Sequence, residues 1–168
     1  MASPRDVRRL AFQALFQFDA RGPSDEADVW QSLESVDDFT SKERRAAFDL
    51  AKAAFADRKK ADTVMVELAP TWPVHRQAAV DRAILRLAHY EMTSGKAPPK
   101  VVVNEAVELA KAFSTKKSPA FINGLLDKVL KRVLASNPAA SGGDDAPPAS
   151  DAPPESSLAP ETPSEGDR

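Results

Sequence analysis

The sequence predicts an all-α protein, and three observations predict it. Apolar residues recur three and four apart through most of residues 4–135, the spacing that gathers them on one helix face. Serine or threonine with proline or glutamate marks several helix starts, and Gly-Pro and Pro-Pro pairs separate the periodic stretches. The stretches are too short to hold as isolated helices in water, so they must pack on one another. The central region, Ala78 to Leu134, contains three of them. Val80 to Glu91 aligns Val80, Ala83, Ile84, Leu87 and Ala88. Val101 to Phe113 aligns Val102, Ala106, Leu109 and Phe113. The helix opening at Pro119 aligns Ile122, Leu125, Leu126, Val129, Leu130 and Val133.

Upstream, Ser3-Pro4-Arg5-Asp6 is a compact helix start: a capping serine, a proline at the first position and an acid at the positive end of the dipole. That helix runs to about Ala20, stops at Gly22-Pro23, and carries Val7, Leu10, Ala11, Ala14, Leu15 and Phe18 inward. Ser24 opens a shorter helix through Val29, Trp30 and Leu33. Thr40-Ser-Lys-Glu43 matches a capping box, in which the glutamate reaches back to the threonine's own amide. A long helix follows to about Leu68, with Phe48, Ala51, Phe55, Val64 and Leu68 inward and a polar middle, Asp57 to Lys60, where it can break. Pro70 and Pro73 bracket Trp72 in a connector, Pro98-Pro99 separates the next two helices, and Ser118-Pro119 repeats the serine-proline start.

The chain of 168 residues fits one domain, residues 1–136. Residues 137–168 are rich in Pro, Ala, Ser and acids, and cannot offset their ordering entropy by burial, so a disordered tail is expected. Of 25 acidic and 23 basic residues, seven and one fall within 139–168, which leaves residues 1–138 with a net charge of +4. A mildly basic body is compatible with an anionic partner, and the acidic tail with competition for the same face. There is no cysteine, no apolar run long enough to cross a bilayer and no apolar leader. A soluble, cytoplasmic protein is the expectation.

Catalytic chemistry is poorly supplied. His75 and His89 are the only histidines, no glycine-rich loop exists, and Glu105 and Glu108 beside Lys111 read as an exposed helix face. A non-enzyme without cofactor or metal is expected. The first helix says more. Arg5, Arg9, Phe12 and Phe16 fall on one stripe with Arg8 at its border, away from the core stripe. Arginines at a helix N-terminus oppose the dipole and ask for a reason. Holding phosphates while rings stack on unpaired bases is one. Burial of Phe12 and Phe16 in a helix packed on two sides is the other reading. Lys116 and Lys117 precede the last helix, whose freed amides after Ser118 make a phosphate seat. Phe121, one turn in, either displays its ring there or anchors the helix. Asn123-Gly124 is odd within a helix and suggests a local backbone bond or close helix approach.

Four pieces stand in an order and register that resemble the NusB family of bacterial transcription antitermination factors. They are Arg9-Leu-Ala-Phe-Gln-Ala-Leu-Phe16, Val80-Asp-Arg-Ala-Ile-Leu-Arg-Leu-Ala-His-Tyr-Glu91, Val103-Asn-Glu-Ala-Val-Glu-Leu-Ala-Lys111 and Phe121-Ile-Asn-Gly-Leu-Leu-Asp-Lys128. The resemblance covers about residues 4–135 and implies two packed helical bundles. It implies binding of the boxA element of nascent, notably ribosomal, RNA together with ribosomal protein S10 (NusE). NusA, NusG and RNA polymerase would complete the assembly. For RNA binding it points to Arg5, Arg8, Arg9, Phe16, Arg86, Lys116, Lys117, Ser118 and Phe121, and for S10 to Phe16, Asp81 and Arg82.

This chain departs from the family pattern in three places. Phe16 stands where tyrosine is frequent, Ala120 where lysine is frequent, and Asp6 interrupts a short arginine arm. Weaker RNA affinity and heavier reliance on the protein partner are the expected results. A protein-interaction scaffold that never touches RNA is the main alternative. The same helical domain also resembles the N-terminal region of some ribosomal RNA cytosine methyltransferases, an enzyme reading that needs a second, dinucleotide-type fold where a disordered tail is expected here. The sequence leaves open a homodimer that hides the basic face.

Overall fold

The computed structural model describes residues 2–22 and 25–136; the helix start expected at Ser24 and the tail expected beyond 136 lie outside the described residues. These residues form helices and no strand. In chain order they are α1 (Pro4–Arg21), α2 (Glu26–Glu34), α3 (Ser41–Ala56), α4 (Arg58–Leu68), α5 (Ala79–Thr93), α6 (Pro99–Phe113) and α7 (Ser118–Ser136), with a short 3-10 turn at Val74–Arg76.

Helix starts follow the sequence closely. Ser3 Oγ accepts the Asp6 amide while the Asp6 carboxylate accepts the Ser3 amide at 2.9 Å, so Asp6 completes a capping box. Those bonds from Ser3 hold the Asp6 carboxyl below its ordinary pKa. Thr40 and Glu43 close the second box, with Thr40 N donating to Glu43 at 2.8 Å, and Glu43 is likewise shifted down by the Thr40 amide. α1 ends at Gly22, whose φ of +99° suits a residue without Cβ. The long helix does break. Asp57 separates α3 from α4, and Arg58 caps the break by donating to the Phe55 carbonyl while lying 4.0 Å over its ring.

Two bundles share one helix. α1 packs on α3 with α2 alongside, and α6 packs on α7 with α4 alongside. α5 runs between them and touches α1, α3, α4, α6 and α7. Its buried residues therefore form a nearly continuous run, Ala83 to His89, rather than a stripe. Phe18 is the largest fully buried side chain and packs on Phe48 and Phe55, which joins α1 to α3. Each such side chain contributes about 1.5–3 kcal/mol.

The core stripes hold with few exceptions. Val7, Val64, Leu68, Val80, Leu130 and Val133 are half-buried, and Met65 and Ala61 take the interior positions on α4. Phe113, expected in the core, is 38% exposed. Phe12 is interior at 3%. Gly124 serves no close helix approach: it is exposed, and a Cβ added there would meet nothing within 4 Å.

Candidate nucleic-acid interface

The N-terminal arginines divide into two kinds. Arg8 turns toward α5, where Nε and Nη2 each donate to Glu91 at 2.9 Å. Burial works against its charged form, but Glu91 outweighs burial and holds the guanidinium pKa above its usual value. Arg5 forks onto Glu105 of α6, at 3.0 Å from both Nε and Nη2, while its side chain stays largely exposed. Arg9 is different. It is exposed, no carboxylate lies within ion-pair distance among the described residues, and its guanidinium carbon sits 5.4 Å from the centre of the Phe113 ring.

Phe113 packs in turn on Phe12, their rings tilted by 37° with centres 5.2 Å apart. Phe12 therefore belongs to the interior yet supports a ring at the surface. One turn along α1, Phe16 is 36% exposed. Directly after Phe113 begins the α6–α7 loop that carries the exposed Lys116 and Lys117. Arg9 and Phe113 thus form a rim where α1 faces the end of α6, with the exposed lysine loop following Phe113 in the chain and Phe16 further along α1. Phe113 was missed from sequence because it continues the α6 core spacing; its position at the last residue of a helix, before a basic loop, was the available signal.

Several residues to which the resemblance points are engaged elsewhere. Arg86 is 7% exposed and donates to Asp62 at 3.0 and 2.7 Å and to Asp19 at 2.7 Å, so its guanidinium is engaged by these carboxylates rather than displayed on the rim. Burial disfavours its charge, but Asp62 and then Asp19 more than compensate and raise its pKa. Arg82 donates to the other oxygen of Asp19 at 2.6 Å and remains partly exposed. Asp81 and Ser118, offered as partner and RNA contacts, are interior at 5% and 6% and bonded to each other at 3.0 Å. The Ser118 hydroxyl therefore serves Asp81. Phe121 is half-buried, and the ring contact it makes is edge-on to Trp72 of the connector.

Chemically, the rim can neutralise phosphates through Arg9, Lys116 and Lys117, and offers Phe16 and Phe113 as faces for unpaired bases. Among the described residues no cluster of His, Cys, Asp and Glu could hold a metal ion. No helix among the described residues is long and apolar enough to cross a membrane. The fold and rim together define a helical body suited to an anionic, base-bearing strand.

Comparison with known proteins identifies which helical body this is. The NusB family model matches residues 5–131. The transcription antitermination protein NusB of Symbiobacterium thermophilum is 42% identical over 152 residues, covering 86% of this chain and 97% of that protein. A solved structure of T. maritima NusB superposes with a TM-score of 0.66 at 35% identity, covering 78% of this chain and 93% of that one. A structure of antitermination factors NusB and NusE in complex with dsRNA shares the fold, at TM-score 0.67 and 24% identity, covering 76% and 96%. The chain belongs to the NusB family.

Proposed function

We propose that this chain is a non-enzymatic transcription antitermination factor that binds boxA-type single-stranded RNA together with ribosomal protein S10 (NusE). It then joins NusA, NusG and RNA polymerase in the cytoplasm. The observation that carries the RNA half is the rim: Arg9, a cation without an ion-pair partner among the described residues, lies over an exposed ring, Phe113, which the Lys116-Lys117 loop follows in the chain. Family membership supports the rest, since a relative of this fold has been captured with NusE and RNA.

In this reading Arg9, Lys116 and Lys117 hold phosphates, and Phe16 and Phe113 take bases. Arg5 contributes only when its Glu105 pair opens, and Arg8 acts as a structural brace. Phe16 and the partly exposed Arg82 remain candidate S10 contacts. Titration of labelled boxA RNA at two salt concentrations, with and without S10, tests the reading. Binding that weakens with salt and tightens with S10 is expected. No RNA binding under any of these conditions would leave a protein-interaction scaffold.

A further inference from the structure

The loop between α6 and α7 is tied at both ends to one buried carboxylate. Ser114 Oγ donates to Asp81 Oδ1 at 2.6 Å, and Ser118 Oγ donates to Asp81 Oδ2 at 3.0 Å. The two hydroxyls lie 2.8 Å apart. Thr115 Oγ1 is 2.9 Å from Ser118 Oγ and supplies the proton there, since that of Ser118 goes to Asp81. Asp81 is 5% exposed, and no cation lies within ion-pair distance among the described residues. Its charge rests on the two hydroxyls and on the first turn of α5, where the helix dipole favours an anion. Between the two anchored serines stand Thr115, Lys116 and Lys117, all exposed, and just before them the exposed ring of Phe113.

We infer that Asp81 is a positioning residue for RNA, resting on the function proposed above: it holds the 114–118 loop so that Phe113, Lys116 and Lys117 face the strand in one arrangement. A carboxylate on α5 thereby sets the geometry of a cationic loop that it does not itself expose. Its neighbour Arg82 reaches the surface beside α1, so α5 joins the loop to the candidate S10 face. Asp81 itself is interior, with both carboxylate oxygens bonded to the loop.

The test compares Asp81→Ala, Asp81→Asn, Ser114→Ala and the Asp81→Ala/Ser114→Ala double variant in the full chain. The readouts are boxA RNA affinity, S10 binding without RNA, and amide hydrogen exchange of residues 114–118. Asp81→Ala is expected to speed exchange in the loop and weaken RNA about five- to tenfold, because two long side chains must then be ordered on binding. S10 binding without RNA stays unchanged. Ser114→Ala reproduces a smaller part of the loss, and the double variant loses no more than Asp81→Ala. Asp81→Asn recovers most of the affinity, since serine hydroxyls can donate to its oxygen and accept from its nitrogen. Where Asp81→Ala fails to fold, Ser114→Ala, which keeps the Ser118 bond, decides the matter. Unaltered RNA affinity in variants of a chain that binds RNA would overturn the inference. So would loss of S10 binding in Asp81→Ala but not in Ser114→Ala. Failure of the unaltered chain to bind RNA would instead sink the functional reading, and this inference with it.

Discussion

Arg8 and Glu91 close a two-pronged ion pair between α1 and α5, Nε to Oε1 and Nη2 to Oε2, both at 2.9 Å. The side chains are 13% and 4% exposed, so removing either partner strands a charge away from water. Arg8→Ala or Glu91→Ala should each destabilise the protein by about 3–5 kcal/mol, and the pair of substitutions by less than their sum. Denaturant melts of the two single variants and the double variant check this. RNA affinity of the folded fraction should not change.

Arg9 and the lysine loop should behave in the opposite way. Arg9→Ala, Lys116→Ala and Lys117→Ala remove exposed charges and leave stability within about 0.5 kcal/mol. Each should lower the slope of log affinity against log salt by about 0.7, the release expected per phosphate contact on a single strand. Affinity titrations over a salt series measure it. A slope unchanged in Arg9→Ala would remove that residue from the interface.

The rings of Phe12, Phe16 and Phe113 separate structure from binding. Phe12→Ala opens a cavity under Phe113 and should cost about 3–5 kcal/mol of stability. Phe16→Ala and Phe113→Ala should cost RNA about 1–3 kcal/mol each through lost base stacking, with smaller changes in the melt. Parallel melting and RNA titration of the three variants give the comparison.

Gly124→Ala should stabilise the protein. The position is helical and exposed, and the new methyl group meets nothing within 4 Å. The gain is the helix propensity difference, about 1 kcal/mol. A thermal melt raised by a few degrees is the expected reading.

The capping boxes make stability acid-sensitive. The Glu43 carboxyl is depressed in the folded state by bonds from Thr40, so its contribution is present above the unfolded value near 4.5 and lost as pH falls through the lower folded value. Asp6 acts in the same direction through Ser3. Glu43→Gln should therefore melt earlier than the unaltered chain at pH 7, with the difference shrinking below about pH 4. Melts across pH 2–7 follow it.

Periodicity and caps made most of the fold legible. Ser3 and Thr40 start helices as read, α6 opens at Pro99, two residues before the Val101 expected, and the polar stretch around Asp57 is where the long helix divides. The site was harder to read because charge and aromaticity do not reveal partners. Arg5, Arg8 and Arg9 look alike in sequence, but only in three dimensions do Glu105 and Glu91 claim the first two. Arg86 and Asp81 match a family motif, and their burial follows from α5 being enclosed by five helices, which no local pattern encodes. Phe113 obeys the core spacing of α6, yet it is the last residue of that helix and covers Phe12 from the solvent side at 38% exposure.

The shared position of α5 has a consequence for how the molecule comes apart. Asp19 of α1 and Asp62 of α4 both grip Arg86, so each bundle is bolted to the same post from opposite sides. Neither half keeps a closed interior once that post is withdrawn. Melting should therefore be all-or-none, with probes in Trp30 and Trp72 reporting one midpoint. A ligand that grips one half should protect the other to the same degree.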